Sequence, residues 1–172
     1  MTRRATFLLG LLPLVLTVGA AGPPDPEQAP GFHRLDFWVG SWIVYDVATG
    51  RLEGTNRIDR VLRGCALIEN WSEADGSSEG KSLFYFNPAT GTWRQVWVTS
   101  AGTSKEKQLV AELPGGAVRF QGEVPTRAGG TVLDRTTLTP LPDGRVRQTI
   151  EISRDRGATW VTGFDAYYVR SP

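Results

Sequence analysis

The chain has 172 residues, of which 19 are Lys or Arg and 18 are Asp or Glu, with one histidine and one cysteine. A chain with such balanced charge lacks the basic surface expected of a protein that binds nucleic acid or an anionic membrane. The single cysteine, Cys65, excludes an internal disulfide, and one His with one Cys supplies too few ligands for a zinc site. A packed core must therefore stabilise the fold, and the length is that of one domain.

Residues 1–21 have the pattern of a secretory signal peptide. A basic start is followed by an apolar run over residues 7–18 and then by small residues. The run is shorter than the roughly 20 residues that span a bilayer. No cysteine lies at the expected cleavage point, so we expect a periplasmic or extracellular product without a membrane anchor. Residues 22–30 are predicted to be a Pro-rich tether, and residues 31–172 a single domain.

From Ser41 onward the sequence predicts ten short antiparallel strands. Segments rich in Val, Ile, Thr and aromatic residues are separated by nine turn signals, such as "ATGR" at 48 and "LPDG" at 141. Within the segments, alternation with a period of two is typical of antiparallel strands. A sheet of ten strands leaves exposed edges unless it closes, so we predict an all-β, up-and-down β-barrel. An open β-sandwich is the alternative fold.

A helical turn or two is predicted within residues 27–39, ahead of the first strand. The segment "FWVGSW" that follows is expected to plug one end of the barrel with Phe37, Trp38 and Trp42. Clusters of aromatic side chains usually belong to a core, which favours this structural interpretation.

The stretch "SRDRGATW", residues 153–160, resembles the Asp box of sialidases and other carbohydrate-active β-propellers. Propellers repeat the box in successive blades, whereas this chain has one copy. Asp155 can accept hydrogen bonds from nearby backbone amides, Gly157 can adopt a positive φ, and Trp160 can pack beneath the hairpin. We therefore interpret the motif as a turn and not as the signature of a glycosidase.

Three further segments carry a longer resemblance: "LDFWVGSW" from Leu35, "GCALIENW" from Gly64 and "GKSLFYFNPATGTWRQVWV" from Gly80. Together they resemble a family of uncharacterised bacterial exported proteins, and the resemblance implies a lipocalin-like barrel similar to the nitrobindin and fatty-acid-binding type. It implies no catalytic residue. The residues that belong to the family's pattern are Trp42, Gly64, Glu69, Trp71, Gly91, Trp93, Gln95 and Trp97.

Several kinds of chemistry lack the residues that they need. His33 lies more than 30 positions ahead of Cys65 in the sequence, which disfavours a Cys–His nucleophile. Haem bound in the nitrobindin manner needs an axial histidine on a late strand, where this sequence has only Tyr167 or Tyr168 to offer. We expect no cofactor. The acidic stretch at residues 72–80 lacks the spacing of a calcium loop and is read as a solvated hairpin.

One set of side chains suits a binding cavity. Glu69, Trp71, Gln95 and Trp97 share strand parity, although parity alone does not tell which face points inward. A carboxylate or guanidinium that faces a barrel interior is costly unless it is paired or used. The candidate ligand-binding residues are Arg57, Glu69, Trp71, Tyr85, Gln95, Trp97, Tyr168 and Arg170.

These residues support a non-catalytic binding protein that holds a small hydrophobic or amphipathic ligand in the barrel. The alternative is an enzyme of the isomerase or cyclase type with Glu69 as general base, which requires an enclosed Glu69 with a raised pKa. A third hypothesis, an interaction module, requires a contiguous apolar patch on the outside. The opposing structural interpretation makes Glu69 and Arg57 an ordinary cross-strand surface pair.

Overall fold

The computed structural model describes residues 22, 25 and 28–172 of the chain. The predicted signal peptide lies outside the described residues, as does part of the predicted tether. Strands are the main elements of the described chain, and its helices are four short 3₁₀ helices.

Ten antiparallel strands in up-and-down order form one closed barrel, which confirms the predicted fold. The strands are β1 (Gly40–Asp46), β2 (Leu52–Val61), β3 (Ala66–Glu73), β4 (Glu79–Asn87), β5 (Thr92–Thr99), β6 (Ser104–Leu113), β7 (Ala117–Pro125), β8 (Thr131–Pro140), β9 (Val146–Ser153) and β10 (Val161–Arg170). The 3₁₀ helices are Pro30–His33, Asp36–Trp38, Leu62–Gly64 and Pro114–Gly116.

The first and last strands close the barrel. β1 pairs with β10 over five residues, from Trp42 opposite Arg170 to Asp46 opposite Ala166. Every strand then has two neighbours, so the sheet has no free edge along which another chain could pair. Each of the nine connections between strands contains one of the turn signals recognised in the sequence.

The two 3₁₀ helices before β1 plug one end of the barrel, as predicted. Phe32 from the first helix packs against Phe86, with ring centroids 4.5 Å apart. Trp38 from the second helix is fully buried and contacts Phe84 edge to face at 5.3 Å. The indole Nε1 of Trp93 donates a hydrogen bond of 2.8 Å to the carbonyl of Gly31, which ties the plug to β5.

An aromatic and aliphatic core fills the plugged half of the barrel. We call it the floor, because it closes the interior from the plugged end. Apolar side chains from nine strands and from the plug meet here, and each is almost completely removed from solvent. Its largest members are Leu35, Trp38, Trp42, Ile58, Leu67, Phe84, Trp93, Phe120 and Leu138.

The Asp-box stretch forms the turn between β9 and β10. The Asp155 carboxylate accepts hydrogen bonds from the Thr159 hydroxyl at 2.6 Å and from the Thr159 amide at 2.8 Å. These bonds lower the pKa of Asp155 to about 2. Gly157 has φ +94°, and Trp160 donates from its indole to the Gly157 carbonyl at 3.1 Å. The motif folds as a hairpin turn, as expected from its single copy.

Candidate functional site

The barrel interior is polar above the floor. Odd-numbered residues of β3 and β5 and even-numbered residues of β2, β4 and β9 point inward there, which resolves the parity left open by the sequence. We call this ring the polar layer. Its members are buried, and they are Asn56, Glu69, Ser82, Gln95, Lys107, Thr136, Gln148 and Tyr168.

A cavity of about 180 Å³ lies between the polar layer and the end of the barrel opposite the plug. Its apolar wall comes from four side chains, and its remaining wall from polar and charged groups. The lining residues are Glu69, Trp71, Glu73, Gln95, Trp97, Lys105, Lys107, Thr136, Gln148, Ile150, Phe164 and Tyr168.

Two inward-facing glycines shape the apolar wall. A Cβ on Gly54 of β2 would collide with the Ser72 carbonyl and also with the Trp71 indole, and a Cβ on Gly80 of β4 would collide with the Trp97 indole. Any side chain at these two positions would collide with a ring, so the glycines let both indoles lie close against the neighbouring strand. Phe164 on β10 meets Trp71 edge to face, with centroids 6.3 Å apart.

A chain of hydrogen bonds runs through the polar layer. Gln95 Nε2 donates to the Ser82 hydroxyl at 3.1 Å, and that hydroxyl donates to Glu69 Oε2 at 2.6 Å. Asn56 Nδ2 donates to the other carboxylate oxygen, Glu69 Oε1, at 2.7 Å. Asn56 Nδ2 also lies 3.5 Å from the Tyr168 hydroxyl, which donates its own proton to Gln148 Oε1. Glu69 is thus anchored at both oxygens while it lines the cavity.

Burial dominates the titration of the groups in this layer. Desolvation raises the pKa of Glu69, and the hydrogen bonds from Ser82 and Asn56 only partly oppose it. Desolvation also raises the pKa of Tyr168, with a further contribution from the nearby charge of Glu69. Both groups therefore favour their neutral forms more strongly than they would in water.

Two lysines of β6, next to Gln95 and Trp97 of β5, share one aspartate. Lys105 Nζ lies 2.7 Å from Asp134 Oδ2, and Lys107 forms an ion pair with the same carboxylate and donates to Thr136 Oγ1 at 2.6 Å. Burial lowers the pKa of Lys107, although the attraction of Asp134 opposes the change. Desolvation alone would raise the pKa of Asp134, but the two ammonium groups together lower it.

Gly122 lies next to this charged cluster. It lies on β7, between β6, which carries both lysines, and β8, which carries Asp134 directly opposite Gly122. A Cβ at this position would collide with the Glu106 carbonyl. Because Gly122 has no side chain, the backbone of β6 lies close against β7 beside the cluster.

Five of the eight candidate residues line the cavity: Glu69, Trp71, Gln95, Trp97 and Tyr168. Glu69 is only 4 % exposed, so it does not form a surface pair with Arg57. The enclosure and the raised pKa that the general-base hypothesis requires are both present.

Three candidates do not reach the cavity, and their placement corrects the expectation. Arg57 alternates with inward-facing residues of β2, so it points outward and pairs with Asp59 at 3.1 Å. Tyr85 lies on the outer face of β4 for the same reason. Arg170 lies at the plugged end, where its guanidinium stacks 4.2 Å from the Trp42 ring and donates to the Val39 carbonyl at 2.8 Å.

The candidates drawn from the sequence did not include the rest of the cavity lining, which is formed by Glu73, Lys105, Lys107, Thr136, Gln148, Ile150 and Phe164. The sequence of β9 could have indicated Gln148, because it is the one polar residue among the even-numbered positions of that strand. A second indication was present in "SKEKQ", where both alternating sets are polar, so one of them had to face the interior. Nothing in the sequence paired these lysines with Asp134, which lies 27 or more positions further on.

Within residues 22, 25 and 28–172, no group of three or more His, Cys, Asp or Glu side chains could hold a metal ion. The helices found in that part of the chain are all too short or too polar to cross a bilayer. No protein-family model and no curated protein sequence matches the chain.

Replacing Glu69 with Gln should change how stability depends on pH. Because the folded-state pKa of Glu69 is raised above its ordinary value of 4.5, the folded protein keeps a proton that the unfolded chain releases. Wild-type stability therefore falls as the pH rises from 4.5 towards the folded-state pKa, by at most about 1.4 kcal/mol per pH unit. E69Q cannot ionise, so its stability relative to wild type should increase over this range.

Urea unfolding of both proteins at intervals between pH 4.5 and pH 8 measures this difference. Groups common to the two proteins cancel in the comparison. Parallel stability curves would show that Glu69 titrates normally in the folded state.

Proposed function

We propose that the protein is a non-catalytic binding protein that holds a small, partly apolar ligand in the barrel cavity. The observation that carries the proposal is the cavity itself, in which the Trp71 and Trp97 indoles and the polar layer meet. Ligand sites are typically concave and largely apolar, with a few convergent polar groups that fix orientation. The sequence of residues 1–21 and the resemblance to exported bacterial proteins support export as part of this proposal.

The cavity volume limits the size of the ligand. An apolar protein cavity of about 150 Å³ accommodates benzene. At about 180 Å³, this cavity suits a single ring with a few additional atoms. A long acyl chain would have to extend beyond the mouth or displace the floor.

The interaction-module hypothesis receives less support from the aromatic residues. Five of the six tryptophans face the floor or the cavity, and only Trp160 packs on the outer face, with the Arg135 guanidinium 3.9 Å from its ring. An adhesive surface built on exposed aromatics would need the opposite arrangement.

Replacing Trp97 with Ala tests the binding proposal. The substitution removes an indole that lines the cavity. The affinity for one-ring aromatic compounds should fall about tenfold or more, because the ligand then buries less apolar surface. Isothermal titration with phenol and fluorobenzene measures the dissociation constants. Val98→Ala is the matched control, because Val98 is the next residue on the same strand, points outward and is 47 % exposed.

Equal affinities for wild type and a folded W97A protein would remove Trp97 from the site. Failure of wild type to bind either compound would contradict the proposed function.

A second candidate function uses Glu69 as a general base, because this carboxyl is enclosed, lines the cavity and has a raised pKa. Acetophenone is a suitable probe, since it is a one-ring ketone with exchangeable methyl protons. In D₂O the enzyme hypothesis predicts loss of the methyl proton signal in the presence of wild type, and a return to the buffer rate with E69Q. An exchange rate equal to that of buffer with wild type would contradict this candidate.

A further inference from the structure

We propose that the ligand is a neutral aromatic compound with an O–H or N–H donor, which enters donor first and hydrogen-bonds to Gln95 Oε1. This inference rests on the proposed binding function and specifies its ligand class. Three properties of the cavity carry it: the fixed orientation of the Gln95 amide, the indole faces of the wall and the balance of charge around it.

The Gln95 amide is held in one orientation by its neighbours. The Ser82 hydroxyl has one proton, and in the ionised state of Glu69 it donates that proton to Oε2 of the carboxylate at 2.6 Å. Ser82 can then only accept a hydrogen bond from Gln95, so the Nε2 group of the amide must face Ser82, as it does at 3.1 Å. Gln95 Oε1 is left pointing away from this chain of hydrogen bonds.

Gln95 Oε1 is a buried acceptor that no donor of the described residues satisfies. Gln95 lines the cavity and is only 7 % exposed. A buried acceptor without a partner is destabilising, and a ligand that donates to it recovers this loss. The cavity should therefore discriminate against a ligand that has the same shape and no donor.

The wall above Gln95 selects a ring. Trp97 lies two residues further along the same strand, and its indole rests against Gly80, so it borders the cavity as an aromatic surface. Trp71 and Phe164 add two more aromatic groups, which meet edge to face. Aromatic side chains prefer edge-to-face or offset contacts with other rings, and a planar ligand provides such contacts.

The charges that line the cavity favour a neutral ligand. An anion would face the carboxylates of Glu69 and Glu73, and a cation would face the ammonium groups of Lys105 and Lys107. Both lysines are engaged by Asp134, so neither is free to neutralise a ligand carboxylate without breaking an existing ion pair. A charged ligand would also lose part of its hydration on entering the cavity.

Four one-ring probes separate these requirements. Phenol is neutral and has a donor; fluorobenzene is close in size and has none; benzoate is an anion and benzylammonium is a cation. Isothermal titration at pH 7 should give phenol the tightest binding, about three- to tenfold tighter than fluorobenzene, which corresponds to one net hydrogen bond. Benzoate and benzylammonium should bind more weakly than phenol.

Gln95→Met assigns the preference to this amide. The variant keeps a side chain of similar length and removes Oε1, so phenol and fluorobenzene should bind with equal affinity. Gln108→Met, an exposed position on the outer face of β6, is the matched control and should keep the wild-type preference. The comparison of probes with wild type stands by itself if Q95M fails to fold.

The outcomes separate the two proposals. Equal binding of phenol and fluorobenzene to wild type would overturn the donor inference and leave the binding function intact. Tighter binding of either charged probe would overturn the neutral ligand class. Absence of binding by all four probes would contradict the proposed function as well.

Discussion

Closure of the sheet by the pairing of β1 with β10 is the constraint on which the remaining structure depends. Once the barrel is closed and plugged at one end, inward-facing residues have no route to bulk solvent except through the opposite end. Apolar side chains can fill the plugged half at little cost. Polar side chains beyond them must find partners inside the barrel, and the polar layer results from this requirement.

The polar layer is an expensive way to fill a barrel. Burying a carboxylate such as Glu69 and an ammonium such as Lys107 removes hydration that internal ion pairs and hydrogen bonds replace only in part. Apolar side chains of similar volume would stabilise the barrel at least as well. Buried positions that carry polar side chains where apolar ones would stabilise the fold better are often functional, and here such positions surround the cavity. This coincidence links the energetics of the fold to the proposed binding function.

The fold was largely predictable from the sequence, and the site only in part. Turn signals and alternation define the strands locally, and avoidance of free edges supplies closure. The alternation along the strands places Glu69 and Gln95 on one face but does not tell which face points inward. The expectation that Arg57 faces the cavity was therefore wrong. The partnership of Lys107 with Asp134 joins the non-adjacent strands β6 and β8, and such a contact has no local signature. Glycines within strands, such as Gly54 and Gly80, were available clues to closely packed rings.

The central claim is that this cavity, and no other surface, receives the ligand. The most direct measurement is an ¹H–¹⁵N spectrum of the tryptophan indole groups during titration with phenol. Binding in the cavity predicts saturable shifts for Trp71 and Trp97, which line it, and an unchanged signal for Trp160 on the outer face. Shifts centred on Trp160, or saturable binding that leaves Trp71 and Trp97 unchanged, would contradict it.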